Sequence, residues 1–295
     1  MKRVVIFLVL ISGFTSYSLD LLTVYDASYF WSQSRSNSIA GISINPSFGG
    51  LGERDLNLRF NHFNGIADGM SISSGIFSAK INDDLSVHAG LESYSKPSFD
   101  VYDETGEFIQ NLDVSANIKG DIGLAYKLRP GLLIGFQYNH FINNVVGDAG
   151  VIDKEILSLV SFGFNLSFRE FLIGFTLRDF KLFESLKYEG EYPELSSLDF
   201  SVSRSFFKNN LNTSLIFSNA NGRTSGYKAA LALEYRLRYF YLRTAYLYTS
   251  QYLSMPFKFG FGIKFRDIDL DYTFSPGEFQ GSHYISLGYG YDLPE

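Results

Sequence analysis

The feature that most constrains this chain is a segment in which large apolar side chains alternate with small or charged ones. It runs from Phe257 to Phe265 as FKFGFGIKF, with a large apolar residue at every odd position. Successive side chains of a β-strand point to opposite faces, so the segment predicts a strand with one apolar and one polar face. The next segment continues the alternation, with Ile268, Leu270, Tyr272 and Phe274 on one face and Asp267, Asp269 and Asp271 on the other.

Segments of about ten residues with this alternation recur from residue 54 to the end of the chain, a pattern typical of transmembrane barrels. A soluble sandwich would also alternate, but its buried face would rarely be so aromatic, and this chain has 29 Phe and 20 Tyr. We predict an all-β fold, an antiparallel transmembrane β-barrel of about fourteen strands. The predicted strands lie near residues 54–62, 69–80, 84–95, 112–128, 131–143, 155–168, 171–180, 198–206, 211–219, 226–237, 239–249, 255–265, 267–274 and 281–292.

The connections between these strands support the count. Short connections rich in turn-forming residues alternate with longer ones, as expected if turns lie on one side of a membrane and loops on the other. The short connections are 82–84, 129–131, 169–170, 208–210 and 266–267. The longer ones include 96–111, 144–154 and 181–197.

The first eighteen residues predict a secretory signal peptide. Lys2 and Arg3 precede an apolar run over Val4–Ile11, and small residues follow at Ser16 and Ser18. The alternative is an N-terminal membrane anchor, but the run is well short of the ~20 residues that a spanning helix needs. An exported barrel chain is expected in the cell outer membrane.

Composition excludes several other classes. No later segment is apolar for long enough to span a membrane as a helix. The chain has no cysteine, so no disulfide framework supports the exported fold. Its net charge is −6 and its pI is near 5.3, which argues against a nucleic-acid partner.

Residues 19–53 lack strand alternation and precede the barrel, residues 54–295. A lumen of about fourteen strands is too wide for side chains alone to fill, so this segment is a candidate hatch that folds inward. Pro46 restricts the backbone and Gly50 permits a sharp reversal.

The last strand has the spacing of the signal that barrel-insertion machinery binds, in Ser286, Gly288, Tyr291 and Leu293. The alternative is an ordinary amphipathic final strand. If the signal is real, the assembly machinery and the lipid of the outer membrane are partners of this chain.

Asn45, Pro46, Ser47, Gly50 and Leu51 resemble the Asn-Pro-Ala-Gly-Leu hatch motif of the FadL-like long-chain fatty-acid transporters, with serine for alanine and Phe48-Gly49 inserted. Further similarity to the PorV/PorQ group within that superfamily lies in 102–108, 233–243 and 271–287. The resemblance implies a fourteen-stranded barrel with an N-terminal hatch. It also implies either passage of hydrophobic small molecules or a platform role for exported proteins.

Several charged residues are predicted to face the lumen on neighbouring strands: Glu234, Arg236, Arg243, Lys258, Lys264, Asp269 and Asp271. Opposite charges on adjoining strands can pair across the ladder. Two interpretations stay open, a structural ion-pair lattice and a polar pathway or clamp for a ligand head group.

We predict no enzymatic activity, no cofactor and no metal. None of the four histidines (His62, His88, His140 and His283) is placed with a serine and an acid as a triad requires. The acidic segment 100–107 lacks the ligand spacing of a calcium loop. The favoured function is transport of hydrophobic small molecules or a platform in protein export. A structural or adhesive surface barrel is the alternative, and an outer-membrane enzyme is third.

Overall fold

The computed structural model describes residues 42, 45–51, 54–65, 70–95, 99–102, 108–113, 117–147, 150–185, 197–207, 210–220, 226–249, 257–276 and 282–292. The predicted signal peptide, most of the predicted hatch segment, residues 103–107 of the acidic segment, and Leu293 lie outside these ranges. Among the described residues, no helix has the length and apolar character to cross a membrane.

A short 3-10 helix, Pro46–Leu51, precedes sixteen strands. The strands are β1 (Leu56–Gly65), β2 (Met70–Lys80), β3 (Leu85–Ser95), β4 (Phe99–Tyr102), β5 (Phe108–Asp113), β6 (Asn117–Arg129), β7 (Leu132–Gly147), β8 (Gly150–Phe168), β9 (Phe171–Ser185), β10 (Ser197–Phe206), β11 (Leu211–Ala220), β12 (Gly226–Leu237), β13 (Phe240–Thr249), β14 (Phe257–Phe265), β15 (Ile268–Ser275) and β16 (Ser282–Tyr291).

Fourteen of these strands form a closed antiparallel barrel. β1 pairs with β2 on one side and with β16 on the other, and β7 pairs with both β6 and β8. The ring therefore runs from β1 to β3, then β6 to β16 and back to β1. Closure leaves no strand edge of the ring unpaired, which is what a barrel in lipid requires.

The prediction of fourteen barrel strands is confirmed, and each predicted strand corresponds to one strand of the ring. The strand predicted over residues 112–128 is divided, because β5 ends at Asp113 and β6 begins at Asn117. The predicted loop at 96–111 contains a hairpin of β4 and β5 outside the ring. β5 also pairs with the far end of β7, at Leu112↔Gly147.

The predicted long connection at 144–154 is wrong. β7 continues to Gly147 and β8 begins at Gly150, and these two residues pair across the ladder. β7, β8 and β9 are 16, 19 and 15 residues long, against 8 to 13 for the other ring strands. One side of the barrel is therefore taller than the rest, because these strands keep pairing beyond the ring.

The two faces of the barrel follow the predicted register. On β14 the outward side chains Phe257, Phe259, Phe261 and Phe265 are 48–51% exposed, whereas inward Lys258 is 1% exposed. The short connections, such as 169–170, 238–239 and 266–267, lie at one end of the barrel, here called the turn end; the opposite end is the loop end. The outer surface is apolar on every side of the ring, as contact with lipid would require.

Candidate functional site

The inner wall of the barrel is the candidate site, because the polar faces of all the ring strands converge on it. Most of its polar side chains are buried, and many of them form hydrogen bonds or ion pairs with one another. Two parts of this wall differ. We call β6, β7 and β8 the segment wall, and the strands from β12 through β16 to β1 the charge wall.

Most of the predicted lumenal charges lie close together on the charge wall. Arg243 Nε donates to Glu234 Oε2 at 2.8 Å, and Arg243 Nη1 donates to Asp271 Oδ1. All three side chains are buried. Lys264 and Asp269 are direct register partners on β14 and β15. Two further predicted residues lie outside this cluster. Lys258 is buried opposite Ala245 of β13. Arg236 is exposed at the turn end, over the ring of Tyr241.

Arg59 on β1 completes this cluster, and the sequence prediction missed it. Its Nη2 donates to Asp271 Oδ2, and its Nη1 donates to Asp269 Oδ2 at 3.3 Å. Asp271 therefore lies between two guanidinium groups, Arg59 from one side and Arg243 from the other. The only sequence signal was that Arg59 has the inward register of β1; its partners lie 210 and 212 positions away.

Glycines let these charges reach across an intervening strand. Arg243 on β13 passes over Gly262 of β14, where a Cβ would overlap Asp271 Oδ1 and lie 3.2 Å from Arg243 Nη1. Arg59 on β1 passes over Gly288 of β16, where a Cβ would lie 3.3 Å from the Cβ of Asp269. The charges therefore pair between adjoining strands, as predicted, and also between strands that are separated by a third strand.

The described part of the predicted hatch lies against the segment wall. Asn45 accepts hydrogen bonds at its Oδ1 from the backbone N of Ser47, at 3.1 Å, and from the Ser47 hydroxyl, at 2.7 Å. The Asn45 side chain thus caps the 3-10 helix in the manner of an N-cap residue. Asn165 of β8 donates to Ser47 Oγ at 2.8 Å. Ser47, where the chain differs from the hatch motif that it resembles, therefore accepts a hydrogen bond from the barrel.

Small residues on the segment wall make room for this helix. Ala125, Gly135 and Gly163 are register partners on β6, β7 and β8, so they form one row on the inner face. A Cβ at Gly135 would overlap the backbone N of Ser47, and one at Gly163 would overlap Asn45 Oδ1. The backbone of the segment lies where those side chains would be.

The remaining hatch residues extend the contact across the lumen. Pro46 begins the helix and lies over Gly163, and a Cβ at Gly50 would lie 2.8 Å from Leu133 Cδ2. Phe48 is fully buried, and with Ile42 it forms an apolar cluster with Ile76 of β2 and Leu172 of β9. Leu51 ends the helix.

His88 of β3 is enclosed between the segment and the wall. A Cβ at Gly49 would lie 3.2 Å from its Nδ1, and one at Gly123 would overlap its Nε2. The imidazole lies beside the Gln137 amide, yet neither ring nitrogen has a hydrogen bond of normal geometry among the described residues. The other histidines, His62, His140 and His283, are on the outward face of their strands.

Nearer the loop end the inner wall carries three buried apolar patches. They comprise Phe63, Ile72 and Tyr284 on β1, β2 and β16; Phe141 and Leu159 on β7 and β8; and Ile216, Ala230 and Leu247 on β11 to β13. Two buried ion pairs separate the patches, Lys119 with Glu92 at 3.5 Å and Arg178 with Asp199 at 2.7 Å. None of these residues was predicted.

The residues of the predicted insertion signal lie on the closing strand. Ser286 and Gly288 are buried on the inner face of β16, and Tyr291 is exposed on the outer face. Leu293 lies outside the described residues, so recognition of this signal stays a prediction. Within the described ranges, no group of three or more histidine and acidic side chains is arranged to hold a metal ion.

Several solved structures have the same fold. The TodX deltaS2S3 mutant monoaromatic hydrocarbon channel aligns with a TM-score of 0.58 at 11% identity, over 84% of this chain and 92% of that chain. The TodX deltaS2 mutant gives 0.58 at 10% identity, over 87% and 94%. The Pseudomonas putida toluene transporter TodX gives 0.55 at 12% identity, over 84% and 91%. Likeness at these identities is a likeness of fold.

Comparisons of sequence add no relative. No protein-family model matches the chain, and no curated protein matches it.

Proposed function

We propose that this chain is an outer-membrane channel for small hydrophobic molecules, with its N-terminal segment inserted in the lumen as a hatch. The observation that carries the proposal is the docking of residues 45–51 on the small-residue row of the segment wall. A row with no Cβ, or only a methyl group, leaves space for a backbone, and the segment occupies that space.

The apolar patches near the loop end support a hydrophobic substrate. Buried Phe63, Phe141 and Leu247 project from three sides of the lumen above the polar cluster. Similarity of fold to a toluene transporter is in keeping with this chemistry. The turn end is then the periplasmic end, as short turns are in bacterial barrels.

The docking can be tested by filling the row. Gly135→Leu should displace the segment and raise the conductance of the purified barrel in planar bilayers, because its side chain would occupy the site of the Ser47 backbone. Deletion of residues 22–50 should give the same increase and leave the barrel folded, since the strand ladder does not include them. Gly75→Leu, on the outer face, is the matched control. A folded Gly135→Leu barrel with unchanged conductance would contradict the hatch.

The substrate class needs a separate test. Cells that display the wild-type chain should take up toluene and a long-chain fatty acid faster than cells that lack it, and should take up sucrose no faster. Rapid entry of sucrose would indicate a general pore. If no probe enters faster, and an exported protein remains bound through mild solubilisation, the platform role implied by the PorV-type resemblance would be favoured.

A further inference from the structure

Two neighbouring turns at the turn end each place an arginine over an aromatic ring. In the turn between β12 and β13, the Arg238 guanidinium lies 4.7 Å from the ring centre of Tyr239. In the turn between β14 and β15, the Arg266 guanidinium lies 5.3 Å from the ring centre of Phe265. These separations are within the range of cation–π contacts.

The two turns form one unit. Tyr239 and Phe265 meet edge to face with their centres 5.8 Å apart, and the backbone N of Lys264 donates to the Tyr239 carbonyl at 2.8 Å. Two guanidinium groups therefore bracket a pair of rings. We call Arg238, Tyr239, Phe265 and Arg266 the two-arginine cluster.

Neither arginine is required by the shape of its turn. Arg238 has a φ of 51° and Arg266 a φ of 55°, in the left-handed region that glycine adopts most readily and asparagine tolerates. A residue with a long side chain is uncommon in this region. The same conformation occurs at Arg169 and Phe207 in two other turns, so it does not by itself select arginine at these positions.

Their charge is not neutralised by the part of the chain that the structure describes. No carboxylate among those residues pairs with Arg238 or Arg266, and the adjacent Asp267 is held by Arg54 at 2.7 Å. Another arginine on the rim provides the contrast. Arg204 lies over Phe171 and Phe206, but it is paired with Glu170 at 3.3 Å.

The cluster lies at the edge of the apolar outer surface. Phe265 is 51% exposed and its register partner Ile268 is 50% exposed on the outer surface. In a membrane the rings would therefore contact acyl chains, while the guanidinium groups lie further out, at the turn end. Guanidinium groups bind phosphate oxygens through paired hydrogen bonds, and aromatic side chains favour the interfacial depth of a membrane. A lipid offers the phosphate and the acyl chain together, which a free phosphate ion does not.

We infer that the two-arginine cluster binds the phosphodiester head group of a glycerophospholipid in the leaflet at the turn end. The inference rests on the membrane location in the proposed function and is independent of what the channel carries.

The test is retention of dioleoylphosphatidylglycerol by the full barrel, measured by native mass spectrometry from detergent micelles. The wild-type chain should retain the lipid, and R238Q/R266Q should retain it about tenfold less, a difference of about 1.4 kcal/mol. R204Q should behave as wild type, because Glu170 already neutralises that arginine. E170Q, which frees Arg204, should increase retention.

Two further probes identify the ligand chemistry. Dioleoylglycerol, which lacks phosphate, should not be retained, and millimolar inorganic phosphate should not displace the phospholipid. Equal retention by wild type and R238Q/R266Q, or displacement by free phosphate, would overturn the inference. If the double variant does not fold, the single variant R266Q carries the same comparison. Loss of lipid from a barrel that still conducts would leave the channel proposal intact, whereas a barrel that fails to enter liposomes would contradict both.

Discussion

The segment wall and the charge wall both have glycines on their inner faces, but the missing side chains serve different ends. On the segment wall, Gly135 and Gly163 leave space for the backbone of another part of the chain. On the charge wall, Gly262 and Gly288 leave space for guanidinium groups that cross one strand to reach the next. Inward glycines can therefore mark a docking groove or a bridge between charges, and their neighbours decide which.

The largest expected effect is on the charge wall. Asp271→Ala should lower the free energy of unfolding by about 3–5 kcal/mol, because Arg59 and Arg243 would lose the carboxylate that lies between them. Urea unfolding of the barrel in lipid vesicles measures this. Asp267→Ala, which removes an exposed pair with Arg54, should cost about 0–1 kcal/mol. Equal small losses would mean that the cluster is solvated.

The outer faces of the two walls should not differ. Phe261→Lys on the charge wall and Phe162→Lys on the segment wall should each cost about 2–4 kcal/mol, since both side chains are half exposed on the lipid face. The folded fraction after insertion, scored by heat-modifiability in gels, provides the comparison. An unchanged folded fraction after either lysine substitution would show that the wall concerned does not face lipid.

Glycines under the charges should be less tolerant than glycines on the lipid face. Gly262→Ala should cost about 1–3 kcal/mol, because its Cβ would overlap the Asp271 carboxylate. Gly75→Ala is the control, since its Cβ would meet Phe60 at 3.6 Å and stability should change by less than about 0.5 kcal/mol. The same urea titration distinguishes the two, and equal costs would contradict the bridging role of Gly262.

The smallest effect is expected at the segment itself. Asn165→Ala removes the bond to Ser47 and should weaken docking by about 0.5–1.5 kcal/mol, with little change in barrel unfolding. Single-channel recording should show a two- to tenfold rise in open probability, about what that free energy permits. Ser214→Ala, which breaks a hydroxyl pair between β10 and β11 and removes no bond to the segment, should leave gating unchanged. A rise of equal size in both variants would mean that gating does not depend on this bond.

The barrel was predictable from sequence because alternation at every strand is a local signal. Phe257–Phe265 alone determines which side chains face lipid, and the same rule placed Glu234, Arg243 and Asp271 inside. Arg59 could not be assigned to them, since its contact with Asp271 exists only after the ring closes. The long β7–β8 hairpin was also missed, because the residues near Gly147 resemble a loop in composition.

The fit between the segment and its groove has a related explanation. Gly135 and Gly163 stand 28 positions apart, and nothing local indicates that they become neighbours in one row. The resemblance of the residues around Asn45 to a hatch motif was visible in the sequence, but the wall against which they lie depends on strand register, which the sequence specifies only approximately.

The contact of Arg59 with Asp269 and Asp271 also bears on how the barrel is completed. β1 and β16 are the first and last strands of the ring in chain order, so their pairing closes the longest loop and carries the largest loss of chain entropy. Until they meet, the Arg59 guanidinium has no access to either aspartate. Joining the strands therefore also brings Arg59 to the two aspartates, and a ring with an open seam would lack these two contacts. Closure of the seam and formation of these contacts are therefore coupled, because neither is complete without the other.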